Sequence, residues 1–320
     1  MQIRMNNPLK INTKSKSYSL EDSALYKIKS KRRLLSLLSL SHQELKSLLS
    51  DDNYNIYQDN TQEKPRLIEH PQRQLERIHT RIASLLCRIK QPEYIHSGIK
   101  GKSHLTNARA HVGPAPILTT DIKSFYQATH IHSVFDFFKN SLDCSPDVAK
   151  LLSELCTCNG HIPTGSRISM PLAYWANAHM FNELYRYSSE RDIVMTVFVD
   201  DITFSGNKVT RTFKQNVKKI IEKHNHVMHP TKTVLHKENS LKVITGAVVG
   251  SKKLQIRNLH HESIYSELSQ WMLIRDEDSK NSNIFTDQIK NRLLGKINSQ
   301  GQIDNRFKDK ARSIKNYQKV

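Results

Sequence analysis

From Leu25 to Leu49 the run LYKIKSKRRLLSLLSLSHQELKSLL places apolar residues three and four apart. That spacing predicts two helices broken near Ser41, a hydroxyl suited to capping the second. SDDNYNIYQDNTQEK then reads as a turn and a short strand, and PRLIEHP as an extended piece bounded by prolines. Residues 72 to 89, QRQLERIHTRIASLLCRI, form a long amphipathic pattern. In the centre, APILTTDI reads as a strand, with helices around VFDFFKN, over SPDVAKLLSELC and over MPLAYWANAHMFNELYRYSSE. Two β-branched runs follow, flanking Asp200 and Asp201. RTFKQNVKKIIEKHN is helical, KTVLH, KVITGAVV and KLQI are short strands, and the remainder is helical and basic. The sum is α+β, a sheet-bearing centre with a helical tail.

Length permits one large domain or two to three smaller ones and does not choose between them. Charge narrows the partner. Lys and Arg number 49 against 30 acids, a formal +19 with a pI near 9.7, spread along the chain. That favours a long polyanion. The polar, basic N-terminus reads as a flexible arm. No apolar run approaches the roughly 18 residues of a membrane span, and no secretory segment is visible, so no membrane is expected. Cys87, Cys144, Cys156 and Cys158 make no disulfide framework, which suits a reduced, cytoplasmic protein.

Within IVMTVFVDDITFSG the strands meet at Val199 to Asp201, a tight hairpin with two acids near its tip. Asp is a good turn residue, and alone the pair would mean no more than that. Asp121, however, ends the strand of ILTTDIKSFY and is the only acid between Glu93 and Asp136. If that strand lies beside the hairpin, three carboxylates converge. Two such charges ~4 Å apart repel by about 4 kcal/mol at an effective dielectric near 20. A divalent cation removes the conflict, and oxygen-only ligands suit Mg²⁺ or Mn²⁺. Two ions roughly 3.5 to 4 Å apart can activate a hydroxyl and stabilise a leaving pyrophosphate.

Here FVDD after DIKSFY resembles motifs C and A of a reverse transcriptase palm, IPTGSRISMPLAYWAN resembles motif B, HPTKTVLH resembles motif D, and KPRLIEHPQRQLERIHTRIASLL resembles the fingers motif. Thr164 stands where that family often has Gln. SGIKGKSHLTNARAHVG, with Asn107, Ala108 and His111, and LKVITGAVV, with Ile244, Thr245 and Gly246, resemble the NAxxH and VTG motifs of bacterial retron reverse transcriptases. The resemblance implies a right-hand polymerase fold: a basic N-terminal helical region (1–50), fingers and an antiparallel palm (51–250), and a helical thumb (251–320). It implies an RNA-directed DNA polymerase that starts on a 2′ hydroxyl of its structured noncoding RNA and leaves a branched RNA–DNA product. Its partners would be that RNA, dNTPs and a separate effector protein in anti-phage defence.

By the same resemblance Asp121, Asp200 and Asp201 hold two Mg²⁺ ions, Mn²⁺ being a possible substitute, with a backbone carbonyl from Ile122. Lys64 and Arg66 meet the triphosphate, Ser124, Phe125 and Tyr126 floor the nucleotide, and Tyr126 excludes a ribose 2′ hydroxyl. Phe125 reads equally as core. Thr164 and Gly165 lie close to the nucleotide, and Lys232 contacts phosphate or protonates the leaving group. Asn107, His111, Thr245 and Gly246 would meet nucleic acid, although a buried histidine and a strand turn explain them singly. In the tail, Ile289, Leu293, Leu294 and Ile297 face a core, leaving Lys290, Arg292 and Lys296, then Arg306, Lys308, Lys310 and Arg312, for a phosphate backbone. His224, His226 and His229 read as exposed or base-contacting rather than as a metal site, and Cys156 with Cys158 lacks a second pair. Two other readings stay open: another bacterial defence reverse transcriptase without a retron RNA, and a noncatalytic RNA-binding palm.

Overall fold

The computed structural model describes residues 9–61, 65–275 and 280–317. Lys64 and the first residues of the basic arm lie outside them. Helix α1 is Lys31–Leu38 and α2 is His42–Leu48. The first starts later than the spacing predicts, because Lys27 takes a left-handed φ of 52° and Ser30 then caps the helix through Arg33 N–H. Ser41 closes a capping box with Glu44 at the second, as its sequence suggests. Strands β1 (Tyr54–Asp59) and β2 (Arg66–Pro71) pair antiparallel, Tyr54 opposite Pro71 and Asp59 opposite Arg66. Helix α3, Arg73–Leu86, lies behind them with Leu75, Ile82, Leu85 and Leu86 buried.

After α4 (His104–Arg109) comes β3 (Ile117–Asp121), then α5 (Phe125–Ala128) and α6 (Ile131–Asp136), which runs into a π-helical turn at Phe137–Ser141. Helices α7 (Pro146–Cys156), α8 (Ser169–Ala176) and α9 (Ala178–Ser189) lead to β4 (Val194–Phe198) and β5 (Asp201–Ser205). Helix α10 (Arg211–Lys223) and β6 (Val234–His236) complete the central unit. The spacing predicts one helix where α8 and α9 stand. It breaks at Asn177, whose amide donates to Ala173 O and Thr129 Oγ1 and whose oxygen meets His226.

The central sheet runs β4-β5-β3-β6, antiparallel throughout. Its apolar face sits on α9 and α10, where Phe204 meets Phe213 edge-on at 5.3 Å. Residues from Leu25 to Met228 share this one core. A smaller cluster joins Leu105 and Ala108 of α4 to a three-stranded meander, β7 (Lys242–Ile244), β8 (Ala247–Val249) and β9 (Leu254–Gln255). A third holds together α11 (Asn258–Ile274), α12 (Lys280–Gln300) and α13 (Asn305–Lys315) around Trp271, Leu293 and Ile297. Among the described residues no helix is long and apolar enough to cross a membrane.

Candidate active site

Strand β3 ends with Asp121 directly opposite Asp201 of β5, and Ile122 N–H donates to Asp200 O at 3.1 Å. β4 and β5 are joined by the two residues Val199 and Asp200. Val199 has φ 62°, and Asp200 is not among the residues with positive φ, which is the sign pattern of a II′ turn. A β-branched side chain there is strained by about 1 to 3 kcal/mol. The surroundings hold it: Ser97 Oγ accepts from Val199 N–H at 3.1 Å, and Val197 exchanges backbone bonds with Tyr94 and His96. Asp200 is thereby aimed across the end of β3.

These acids disturb one another. Burial, then the charge of Asp121, raises the Asp200 carboxyl above its ordinary range. Burial with Asp200 and Asp121 pushes Asp201 up to about 6. Lys232 Nζ supplies the counter-charge, 2.6 Å from Asp121 Oδ2, and its ammonium is held above its usual value chiefly by that bond. Among the described residues no three carboxylate, imidazole or thiol groups form a closed metal cage. What exists is an oxygen-only cluster that draws in a cation. That donor set fits hard divalent ions, Mg²⁺ or Mn²⁺, with Asp121, Asp200 and Asp201 as their seat.

Around this cluster the expected nucleotide residues separate. Arg66 begins β2 and lies near enough to Asp200 for its charge to oppose the upward shift. Ser124 is exposed at φ 51° and starts α5. Tyr126 is half-buried beside the acids, its hydroxyl pushed up to about 12 by burial and Asp200. Phe125, by contrast, is only 4% exposed and packs edge-on to Phe181 and against His226. It belongs to the core and not to a nucleotide floor: its ring is buried beneath that of the half-buried Tyr126, 5.9 Å away.

Thr164 and Gly165, both half-buried, pack on β2. Thr164 Oγ1 donates to Leu67 O and accepts from Glu69 N–H, while Gly165 N–H donates to Glu69 O. A Cβ on Gly165 would stand 2.9 Å from that carbonyl, so the close backbone approach is to β2. The clasp is completed by Glu69, 1% exposed, whose carboxylate meets His161 Nε2 at 2.9 Å and Thr164 N–H at 3.1 Å. Sequence reasoning missed Glu69. An acid on the inward side of the alternating run RLIEHP was the available signal.

Asn107 and His111 do not meet nucleic acid either: they are 1% and 2% exposed. His111 bridges Ser205 Oγ and Thr196 Oγ1, both at 2.7 Å, and Asn107 Nδ2 reaches Thr245 Oγ1 at 3.4 Å. Thr245 donates in turn to His104 O at the β7–β8 turn, where Gly246 is exposed. These two motifs therefore fasten α4 and the meander to the central sheet. His226 is likewise buried and not exposed, bonded to Asn177 Oδ1 at 2.6 Å, and His224 pairs with Glu183.

In the tail, Ile289, Leu293 and Ile297 are buried and Leu294 packs against them as the spacing predicts. Two of the basic residues beside them are already engaged. Arg292 Nε and Lys296 Nζ both meet Glu267 Oε1, at 2.5 and 2.8 Å. Arg306 is tied to Asp304 and Arg312 to Asp309, both at the surface, where exposed pairs exchange readily with phosphate. Among the described residues Lys290, Lys308 and Lys310 form no ion pair, Lys310 lying 4.8 Å over the Tyr265 ring.

β1–β2 with α1–α3 and the central sheet with its helices share one core, and the α11–α13 bundle has its own. No family model matches the chain. Curated proteins do match, and they are retron reverse transcriptases. That of retron Se72 from Salmonella heidelberg is 33% identical over 149 residues, 45% of this chain and 38% of the relative. Those of retrons Ec86 and Ec48 from Escherichia coli are 24% identical over 225 residues (68% and 70% of the two chains) and 21% over 332 (94% and 79%). Solved structures with related shape include a foamy viral protease-reverse transcriptase in complex with double-stranded DNA, at TM-score 0.44, 15% identity and 78% and 36% coverage. Apo telomerase from Candida tropicalis aligns at 0.47, 10% identity and 64% and 55% coverage.

Proposed function

We propose that the protein is an RNA-directed DNA polymerase of the retron type. The observation that carries this reading is the convergence of Asp121, Asp200 and Asp201 at the end of β3 and its neighbouring turn, in a chain of net charge +19. A pure RNA binder gains nothing from buried acids that repel one another and the phosphate. When bound, two divalent ions would activate the attacking hydroxyl and stabilise the leaving pyrophosphate. Asp121 and Asp200 would hold those ions, with Asp201 the weaker ligand. Arg66 steadies the triphosphate. Lys232, whose ammonium lies 2.6 Å from Asp121 Oδ2, would place its charge by the departing phosphate. Tyr126 stands where a ribose 2′ hydroxyl would clash. Tyr126→Ala will lower discrimination against ribonucleotides by roughly 100-fold in single-nucleotide extension assays; unchanged discrimination would remove the gate.

The retron part concerns substrate. Similarity to retron enzymes supports a structured noncoding RNA as template, a 2′ hydroxyl of an internal guanosine as primer, and a separate effector in defence within the cytoplasm. The test is to express the chain with its native neighbouring locus and extract the nucleic acid that copurifies, beside the Asp200→Ala/Asp201→Ala variant. A short DNA joined to RNA through a bond that debranching enzyme opens is expected in the wild type alone. DNA without a branch would move the protein to another class of reverse transcriptase. Bound RNA without DNA in either sample would leave an RNA-binding palm.

A further inference from the structure

From the Ile117 end of β3, four residues and ~13 Å along the strand from Asp121, a groove of about 750 Å³ runs between α10 and the edge strand β6, its floor reaching Met228, which bridges Ile122. Arg211, Lys214 and Lys218 stand at i, i+3 and i+7 on one face of α10, a line ~10 Å long. Phe213, Val217 and Ile221 anchor the other face in the core. Lys237 faces the line from beyond β6, and Glu238 is the one acid in the lining. Among the described residues Arg211, Lys214 and Lys237 make no ion pair, and Lys218 has only an exposed one with Glu222 at 3.5 Å. The floor is apolar, with Pro116, Met228 and Leu235.

We infer that this groove binds the sugar–phosphate backbone of an RNA stem, outside the strand being copied. This rests on the polymerase reading above. A row of like charges at regular spacing, closed by a fourth from the facing wall, complements a polymer with one phosphate per residue. An apolar floor accepts the face of a ribose or an unstacked base. None of these cations neutralises a buried acid, unlike Arg292 and Lys296, so their charge is free for a ligand. Lys237 follows His236, the partner of Ile117, so the facing cation stands at the end of β3 away from Asp121. One protein thus grips a folded part of its RNA while copying another part.

The test compares wild type with Arg211→Gln/Lys214→Gln/Lys237→Gln, using a fluorescent synthetic RNA hairpin for binding and poly(rA)·oligo(dT) for extension. Hairpin affinity at 0.15 M salt should fall about 100-fold and the slope of log affinity against log salt by about 3, with oligo(dT) extension within about twofold of wild type. Unchanged hairpin affinity and slope overturn the inference. So does a parallel loss of extension, which would put these cations in the copying cleft. Poly-glutamate binding that the variant loses while the hairpin still binds would also overturn it, in favour of an acidic protein partner. Failure of the wild type to extend oligo(dT) would sink the polymerase reading, yet the hairpin titration would still decide the groove.

Discussion

Asp200→Asn will lose DNA synthesis by about a thousandfold or more while RNA affinity stays within about twofold. The asparagine keeps the shape of the turn and removes one of the charges that seat the divalent ions, and loss of a single electrostatic element at a reacting centre costs 10²–10³ in rate even where the others remain. The same change will make the metal-free protein more stable at pH 7. Asp200 has its carboxyl raised in the fold, so the native state binds the proton more tightly than the unfolded chain. Stability therefore falls as pH rises from the ordinary carboxylate value through the folded one, and the full penalty is present at neutrality. Asparagine carries no such penalty. Primer extension and thermal melting without metal check the two halves together. Synthesis within tenfold of wild type would take Asp200 out of the metal seat, and a lowered melting temperature would show that the repulsion between the acids had been misread.

Mild acid will destabilise the fold in a window where most carboxylates are still ionised. Burial holds His79 at about 4, His111 at about 3 and His226 at about 4, all below the ordinary value of 6.5. Each is neutral in the core and gains its proton on unfolding. The stability they lend is present above about pH 6.5 and is lost as pH falls toward their folded values. At pH 5.5 the loss is about 1.4 kcal/mol for each, about 4 for the three. Asp201, raised to about 6, acts in the opposite direction and returns somewhat less than 1 kcal/mol. Urea unfolding at pH 7.5 and 5.5 should then differ by about 3 kcal/mol, and His111→Gln should shrink that difference by nearly half. An unchanged difference in the variant would mean that His111 is not the buried neutral group its two hydroxyl partners suggest.

The Ser41 cap, the strand end at Asp121 and the hairpin carrying Asp200 were legible, because each depends on local spacing or turn chemistry, whereas the short helices α4 and α5 were not. What could not be read was which side a residue faces once three-dimensional neighbours compete for it. Phe125 and Tyr126 are adjacent in sequence, yet one enters the core and the other flanks the acids. Asn107, His111 and Thr245 were recognisable as a set, but their hydrogen bonds span 138, 94 and 85 positions, so that sequence could not distinguish RNA contacts from rivets between α4, the sheet and the meander. Arg292 and Lys296 looked free for phosphate because Glu267, their partner, lies on a different helix. The Asn177 break was invisible for the same reason: the groups that reward it, Thr129 and His226, belong to other elements.

The sheet order has a consequence for synthesis on the ribosome. β3 is central, yet both of its partners, β5 and β6, are translated after it, the last ending at His236. On the order of a hundred residues separate them, so at 5–20 residues per second the nascent strand waits roughly 5 to 20 s with both edges open. Exposed edges of that kind recruit other chains. Thr119 and Thr120 interrupt the apolar run of β3 and make it a poorer template for such pairing. Slow decoding between α5 and β5 should therefore favour aggregation, whereas slow decoding after β6 should be harmless.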